Sequence, residues 1–194
     1  AMAPEGAARS DAPERALTLR GRLEALAKRA LRAHGIGEDA PDAVARYFAA
    51  TNFARRRFWE LNGVWRACRR RGANLIVSAQ SVRYRRELRC WAAYEVVTRL
   101  VHADDNEKSF FVEHRFVREG FVCAVQLVKY RIVPMRARGG GGSGGDDATT
   151  PSALLLAVAD SPDEARFVDD VAAAPPPDLA AWIEYNARSS AARR

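Results

Sequence analysis

Residues 104–133, DDNEKSFFVEHRFVREGFVCAVQLVKYRIV, contain two runs of β-branched and aromatic residues joined by a short polar turn. The runs occupy 109–117 and 121–133, and residues of these types are enriched in strands. Arg118-Glu119-Gly120 lies between the runs and is typical of a tight hairpin. This stretch therefore predicts two antiparallel strands.

Two further runs of the same character precede this hairpin, at 74–84 and 92–102. Asp104-Asp105-Asn106 follows the second of them and is itself a hairpin signal. The last three strands are therefore expected to form an antiparallel meander, because short connections join strands that run in opposite directions.

A helical period of three and four residues precedes the strands. Asp42 can cap this helix and Asn62-Gly63 can end it, and a short helical turn through Trp65 and Cys68 follows. The apolar stripe of the helix consists of Val44, Tyr47, Phe48, Thr51, Ala54, Phe58 and Leu61. A long helix followed by four antiparallel strands predicts an α+β fold in which the sheet wraps the helix.

The segment before this helix has a helical pattern of its own. Leucines between Arg15 and Ala33 recur at helical spacing and predict an amphipathic helix. Gly35 and Gly37 then end it.

The end of the chain is predicted to be helical beyond a glycine-rich linker. Residues 139–150, GGGGSGGDDATT, have the composition of a flexible linker. Ser161-Pro162-Asp163-Glu164 is a capping box that opens a helix to about Ala173, and Asp178 can cap a last helix. Helices this short are expected to dock on the sheet, on each other or on a partner. The predicted organisation is an N-terminal arm with one helix at 1–37, a folded domain at 38–138, a Gly-rich linker at 139–151 and a helical C-terminal extension at 152–194.

The charge is concentrated in the middle of the chain. The 194 residues include 31 Lys and Arg against 24 Asp and Glu, a net charge of +7, whereas residues 44–138 hold 20 basic and 8 acidic side chains, a net charge of +12. Nearly all of the basic residues are arginine, whose planar guanidinium binds phosphate through two hydrogen bonds. The excess favours contact with a polyanion, although a GC-rich genome would produce the same composition without such a role.

The composition argues against several classes of protein. No uninterrupted run of about 18 apolar residues occurs, so no membrane-spanning helix is predicted. Cys68, Cys90 and Cys123 are odd in number and far apart, which argues against a disulfide scaffold and a zinc site. The three histidines are isolated from one another. No metal and no cofactor are expected, and a reducing compartment fits best.

Four segments of the chain, taken in order, resemble a known family. They are ARYFAATNFA at 45–54, YRRELRCWAAYEV at 84–96, DDNEKSFFVEHRFV at 104–117 and GFVCAVQLVKYRIV at 120–133. Together they resemble the thioesterase superfamily, in the thioesterase-like branch similar to 4-hydroxybenzoyl-CoA thioesterases. The resemblance implies the hot-dog fold, in which a curved antiparallel sheet wraps a long central helix. It also implies a homodimer or heterodimer that forms an acyl-CoA site between its subunits.

The catalytic loop departs from the pattern of that family. Active members carry an Asp ahead of the Ala-Arg-Tyr of the central helix, and Gly37 stands at that position in this chain. If the chain is active, Glu38, Asp39 or Asp42 would have to act in an altered loop, whereas as helix caps or solvated loop charges they need no catalytic role. We therefore predict no catalytic residue.

Arginines cluster at three places in the basic block. The predicted RNA- or phosphate-binding residues are Arg55, Arg56, Arg57, Arg69, Arg70, Arg71, Arg83, Arg85, Arg86 and Arg89. Trp59, Trp65, Tyr84 and Trp91 are interleaved with them. Arginines beside aromatic rings suit a phosphate backbone with exposed bases. The alternative interpretation is a solvated basic face whose aromatic residues belong to the core.

Three functions are consistent with these residues. The first, which we prefer, is a non-catalytic structural subunit of a large ribonucleoprotein assembly. The specific candidate is a mitochondrial ribosome, with rRNA and neighbouring proteins as partners and the matrix as location. The second is an acyl-CoA thioesterase with an altered catalytic loop, and the third is a protein-only scaffold in another mitochondrial complex. No DNA is implied as a partner.

Overall fold

Two consecutive helices open the folded domain. The computed structural model describes residues 30–32, 43–88, 92–135 and 149–192. Helix α1 spans Ala43–Leu61 and helix α2 spans Val64–Arg70. Gly63 joins them with a φ of 79°, a left-handed conformation that favours glycine, and Asn62 Oδ1 accepts a hydrogen bond from Val64 N at 3.0 Å. The predicted stop at Asn62-Gly63 is confirmed, whereas the predicted cap Asp42 lies outside the described residues.

The strands form one antiparallel sheet in the order β1-β3-β4-β5-β2. The strands are β1 at Ala30–Arg32, β2 at Ala73–Tyr84, β3 at Ala93–Asp104, β4 at Ser109–Arg118 and β5 at Phe121–Pro134. The four long strands lie within two residues of their predicted bounds, and β3, β4 and β5 form the predicted meander.

The turn between β4 and β5 shows why this hairpin can be recognised in the sequence. Arg118 pairs with Phe121, so the loop contains only Glu119 and Gly120. Both residues have positive φ, 52° and 75°. Two consecutive residues with a left-handed backbone conformation form a turn whose twist matches that of the two flanking strands, and glycine is favoured in this conformation.

Residues 30–32 correct one prediction. They were expected to end a helix from Arg15 to Ala33, but they form strand β1 and pair with Ala93–Glu95 of β3. Hydrogen bonds to β3 satisfy the backbone of this segment, so sheet pairing overrides the local helical pattern. The remainder of the predicted helix lies outside the described residues.

The core lies between α1 and the sheet. Phe58 and Trp59 of α1 are buried, and the Trp59 ring lies 5.2 Å from Phe110 and 5.3 Å from Tyr130, measured between ring centroids. Phe110 lies on β4 and Tyr130 opposes it on β5. Of the predicted apolar stripe, Thr51 and Phe58 are buried but Leu61 is exposed, and the side chains of Val44, Tyr47 and Phe48 lie outside the described part of the structure.

Three helices follow in the C-terminal extension: α3 at Pro151–Leu156, α4 at Pro162–Ala172 and α5 at Pro177–Ala191. The predicted cap Ser161 is confirmed, since its Oγ accepts from Glu164 N at 3.3 Å, whereas the buried Glu164 carboxylate accepts from Asp160 N, one residue before the cap. Asp178 is not the cap of the last helix, because the helix begins one residue earlier at Pro177. Helix α3, capped by Thr150, was not predicted. No helix of the described ranges is long and apolar enough to cross a membrane.

The extension docks on the domain, as predicted. Leu154 and Leu155 of α3 and Val168 of α4 are buried in the same apolar cluster as Phe58. His102 Nδ1 of β3 lies 2.9 Å from the backbone oxygen of Val171. On the face of the sheet away from α1, Trp182 packs edge-on against Phe111, with ring centroids 6.2 Å apart. The extension thus wraps the β3 side of the sheet.

Leu155→Ala is expected to lower the free energy of unfolding by about 2–5 kcal/mol, because it leaves a cavity in the main core. Leu155 is 0% exposed. The matched control is its neighbour Leu156, which is 50% exposed, and Leu156→Ala should change stability by about 0.5 kcal/mol or less. Urea denaturation of both variants checks the prediction. Equal losses would show that the extension does not contribute to the core as described.

Candidate functional site

A row of polar side chains crosses the sheet beneath α1. Thr98 of β3 pairs with His114 of β4, which pairs with Gln126 of β5. All three are buried. Thr98 Oγ1 and His114 Nδ1 are hydrogen-bonded at 2.9 Å, and Gln126 Nε2 donates to Gln80 Oε1 of β2 at 3.1 Å. We call these four residues the polar layer.

The polar layer separates two apolar clusters of the core. On one side, Val96, Phe116 and Ala124 occupy neighbouring positions on the same three strands and pack with Ala50 of α1. On the other side, the corresponding positions on these strands, Leu100, Val112 and Val128, belong to the large cluster around Phe58. The polar layer therefore divides the hydrophobic core into two separate apolar clusters.

Two buried polar atoms of the polar layer, His114 Nε2 and Gln126 Oε1, have no hydrogen-bond partner among the described residues. Beside the layer, the Tyr130 hydroxyl interacts with the side chains of Trp59 and Arg55. Buried polar groups in folded proteins are nearly always hydrogen-bonded, to protein, to water or to a ligand. Their concentration between α1 and the sheet marks this region as a candidate binding site.

Arg55 of α1 supplies the charge near this region. The pKa of His114 is lowered to about 3, first by burial and then by the positive charge of Arg55. Burial raises the pKa of Tyr130 well above its ordinary range, and the charge of Arg55 together with hydrogen bonds to the side chains of Trp59 and Arg55 opposes part of that increase. His114 is therefore neutral and Tyr130 is protonated at neutral pH. Both can take part in hydrogen bonding, but neither is charged.

The described residues of the site lack an effective base or nucleophile. An imidazole with a pKa of about 3 is too weak a base to activate water near neutral pH. The Cys68 thiol is also unreactive, because burial raises its pKa to about 11 although Arg71 and Arg69 oppose the shift. No three His, Cys, Asp or Glu residues within the described ranges are grouped so that they could hold a metal ion.

The carboxylates predicted for an active enzyme cannot be placed in the site. Glu38, Asp39 and Asp42 lie outside the described residues. Glu60, the acidic residue of the central helix, accepts from Arg56 Nε at 2.9 Å on the surface. Within α1, the described acidic side chain is therefore already engaged in an ion pair.

The structure does not bring the predicted arginine clusters into one patch. Arg69, Arg70 and Arg71 lie at the end of α2, directly before β2, whereas Arg83, Arg85 and Arg86 lie at the far end of β2. Twelve residues of strand at about 3.3 Å each separate the two groups by about 40 Å. Both groups are exposed, as are Arg56 and Arg57 on α1. Arg89 lies outside the described residues.

The interleaved aromatic residues have different roles. Trp59 is a core residue, which supports the alternative interpretation for this side chain. The Trp65 indole is half-buried and donates to Asn74 Oδ1 at 3.2 Å, whereas Tyr84 is 45% exposed. Trp91 lies outside the described residues. The structure adds one ring that was not predicted, since the Arg86 guanidinium lies 4.0 Å from the ring centroid of Phe121.

Sequence reasoning missed the polar layer, although a signal was present. Thr98, His114 and Gln126 each occur inside a run in which the alternate positions facing the helix are otherwise apolar. A polar residue at a core-facing position of one strand is ordinary. That three such residues lie side by side in neighbouring strands can be recognised only when the strand register is known.

The wild-type protein is expected to lose stability as the pH falls from about 6.5 towards 3. In this window His114 takes up a proton in the unfolded chain but not in the folded one, so the loss approaches about 1.4 kcal/mol per pH unit. Above pH 6.5 the residue is neutral in both states and contributes no pH dependence. His114→Gln should have a shallower fall in this window, measured by urea denaturation at several pH values. Parallel curves for the two proteins would contradict the assignment.

Comparisons with known proteins agree with this fold. A model of the thioesterase-like superfamily matches residues 43–183. Protein THEM6 of Xenopus laevis is 35% identical over 91 residues, which are 46% of this chain and 43% of that protein. Protein THEM6 of Danio rerio is 38% identical over 91 residues, 46% of this chain and 44% of that protein. The matched segment thus spans less than half the length of these relatives.

Solved structures with a similar fold include a probable thioesterase, YbaW, from Escherichia coli. It is 17% identical, with a TM-score of 0.46, over 62% of this chain and 90% of that chain. The gentisyl-coenzyme A thioesterase BH1999 is 18% identical, with a TM-score of 0.45, over 56% of this chain and 92% of that chain. The family model covers 141 of the 194 residues, and the predicted α+β hot-dog fold is confirmed. The chain belongs to the thioesterase-like superfamily.

Proposed function

We propose that this chain is a non-catalytic thioesterase-like domain that binds RNA as a structural subunit of a large ribonucleoprotein assembly. The main observation behind the proposal is the exposure of Arg69, Arg70 and Arg71 and their lack of ion pairs with described residues. They are exposed at the end of α2, and none of them forms an ion pair with any residue that the structure describes. Our specific candidate for the assembly is a mitochondrial ribosome, with rRNA and neighbouring proteins as partners and the matrix as location.

The separation of the arginine clusters favours a long polyanion over a small ligand. One group lies at each end of β2, about 40 Å apart by the rise of a strand. A single nucleotide cofactor cannot contact both groups. An RNA backbone can, and the exposed Tyr84 at the far end of β2 is an aromatic side chain of the kind that stacks on bases.

The absence of an effective base in the described site supports a non-catalytic role. Thioester hydrolysis requires a group that activates water or attacks the carbonyl carbon. In the described part of the chain, Glu60 is paired with Arg56, and His114 is buried and neutral. The resemblance of the sequence to the thioesterase superfamily places Gly37 at the position of the catalytic Asp.

The second candidate function is hydrolysis of an acyl-CoA, and membership of the thioesterase-like superfamily favours it. Glu38, Asp39 or Asp42 would act from the loop before α1 in that case. The third candidate, a scaffold in a protein-only mitochondrial complex, would use the same arginines to contact acidic proteins.

Replacing Arg69, Arg70 and Arg71 together by Gln is expected to weaken binding to single-stranded RNA. Each lost phosphate contact removes about 0.7 from the slope of log affinity against log salt concentration, so the slope should fall by about 2. Fluorescence anisotropy with a labelled RNA at several salt concentrations measures this slope.

The matched control replaces Arg166 and Arg188 by Gln. These arginines are also exposed, but they are paired with Asp163 and Glu184 on the acidic extension. The control should leave the slope unchanged. An equal effect of both variants, or a native protein whose sedimentation is unaffected by ribonuclease, contradicts the RNA-binding proposal.

The purified protein is expected to have no activity towards a panel of acyl-CoA esters. Release of free CoA thiol measures hydrolysis directly. If the protein hydrolyses one of these esters and Asp39→Ala or Asp42→Ala abolishes that activity, the second candidate function replaces the first. Asp105→Ala, which changes an exposed carboxylate in the β3–β4 turn, serves as the control variant.

A further inference from the structure

A cleft of about 310 Å³ lies where the C-terminal extension meets the corner between α1 and α2. A Cβ atom at Gly63 in this corner would lie 3.4 Å from Val158 Cγ1 of the extension, so the two segments are in contact there. The cleft therefore exists only while the extension is docked on the domain. The polar residues that line it are Glu60, Asn62, Arg66 and Arg70 on one side and Asp160 on the other.

We propose that this cleft binds a phosphate group. Arg66 and Arg70 are one helical turn apart on α2, so both side chains reach the same cleft. Both residues are exposed, and neither forms an ion pair with a residue that the structure describes. Like charges at this spacing destabilise a helix, and an anion bound between them removes the repulsion. Two guanidinium groups also match the charge of a phosphate monoester and donate to its oxygens in pairs.

The Asn62 amide adds a hydrogen-bond donor to the cleft. Asn62 is 1% exposed, and its Oδ1 accepts from Val64 N, which fixes the orientation of the amide. Its Nδ2 has no hydrogen-bond partner among the described residues. Buried donors in folded proteins nearly always have an acceptor. Because Asn62 lines the cleft, an oxygen of a bound phosphate can be that acceptor.

The two acidic residues of the cleft reduce its positive charge without cancelling it. Glu60 accepts from Arg56 Nε at 2.9 Å, so its charge is already balanced. Asp160 is exposed and belongs to the extension, and its carboxylate opposes part of the charge of Arg66 and Arg70. The cleft is therefore expected to bind an anion with moderate affinity.

The remaining lining residues favour the phosphate over a nucleobase. They are small or aliphatic, and the described lining includes no aromatic ring on which a base could stack. The phosphate can belong to an RNA backbone or to a free phosphate ester. Only the first source rests on the proposed function, because Arg70 is one of the arginines assigned to RNA binding. Arg66 is outside the predicted arginine clusters.

The test is calorimetric titration of the full chain with ribose 5-phosphate and, separately, with ribose, at constant ionic strength set by sodium chloride. Ribose has the same sugar ring but no phosphate. Ribose 5-phosphate should bind and should raise the melting temperature with concentration, whereas ribose should do neither. Equal binding of the two compounds, or no binding of ribose 5-phosphate, overturns the proposal.

Four variants identify the residues. Arg66→Gln and Arg70→Gln should each weaken the binding of ribose 5-phosphate about tenfold, because each removes hydrogen bonds to a charged group. Asp160→Asn should strengthen it, because a nearby negative charge is removed. Arg131→Gln is the matched control, since Arg131 is an exposed arginine that does not line the cleft. An equal loss in Arg131→Gln and Arg66→Gln, or no gain in Asp160→Asn, overturns the proposal.

A labelled single-stranded RNA distinguishes the two sources of the phosphate. If RNA occupies the cleft, ribose 5-phosphate weakens RNA binding, and Arg66→Gln lowers the slope of log affinity against log salt concentration by about 0.7. If ribose 5-phosphate binds without changing the affinity for RNA, the ligand is a free phosphate ester. RNA binding by a chain that does not bind ribose 5-phosphate overturns this proposal alone. Binding of ribose 5-phosphate by a chain that does not bind RNA contradicts the proposed function alone.

Discussion

The packing of Phe58 and Trp59 on the sheet is the contact on which the rest of the structure depends. Both side chains project from one side of α1, and an amphipathic helix of 19 residues must bury that side to be stable in water. Phe110 and Tyr130, paired across β4 and β5, provide the surface. A two-stranded hairpin would leave much of the helix uncovered, which explains why β2 and β3 extend the same sheet on either side.

The polar layer interrupts this core and lowers the stability of the folded state. A neutral histidine, an amide and a hydroxyl in apolar surroundings are tolerated only when they are hydrogen-bonded. Thr98 partners one nitrogen of His114, and Gln80 partners the amide of Gln126, but the second polar atom of each residue is left over. Apolar side chains at these positions would be more stable, so a bound molecule that completes the hydrogen bonds gives the layer a physical reason to exist.

The sequence predicts most of the fold because the decisive signals are local. The alternating β-branched residues and the Glu119-Gly120 turn can be recognised from residues that are close together in the sequence. The same is true of the helix cap at Ser161. Strand β1 is different, since three residues become a strand only through pairing with β3. The polar layer is different for the same reason, because it combines residues of four strands whose register no single run reveals. Arg55 and Arg57 are only two residues apart, yet one is half-buried beside the sheet and the other is exposed.

The described arginines of the domain differ in whether an acidic side chain forms an ion pair with them. On the outer face, Glu113 accepts from Arg99 at 2.7 Å and from Arg115 at 2.6 Å, so these two arginines are already balanced in part by an acidic residue. The acidic extension contacts β3 at His102, and its residues Ala157, Val158 and Asp160 also line a cleft with Arg70 of α2. At the far end of β2, Arg86 lines a second cleft with Glu87, Arg118 and Glu119. Acidic side chains therefore lie near both arginine clusters, but the arginines at 69–71 and 83–86, unlike Arg99 and Arg115, form no ion pair within the described residues. A polyanion that contacts these clusters therefore breaks no existing ion pair of the described residues.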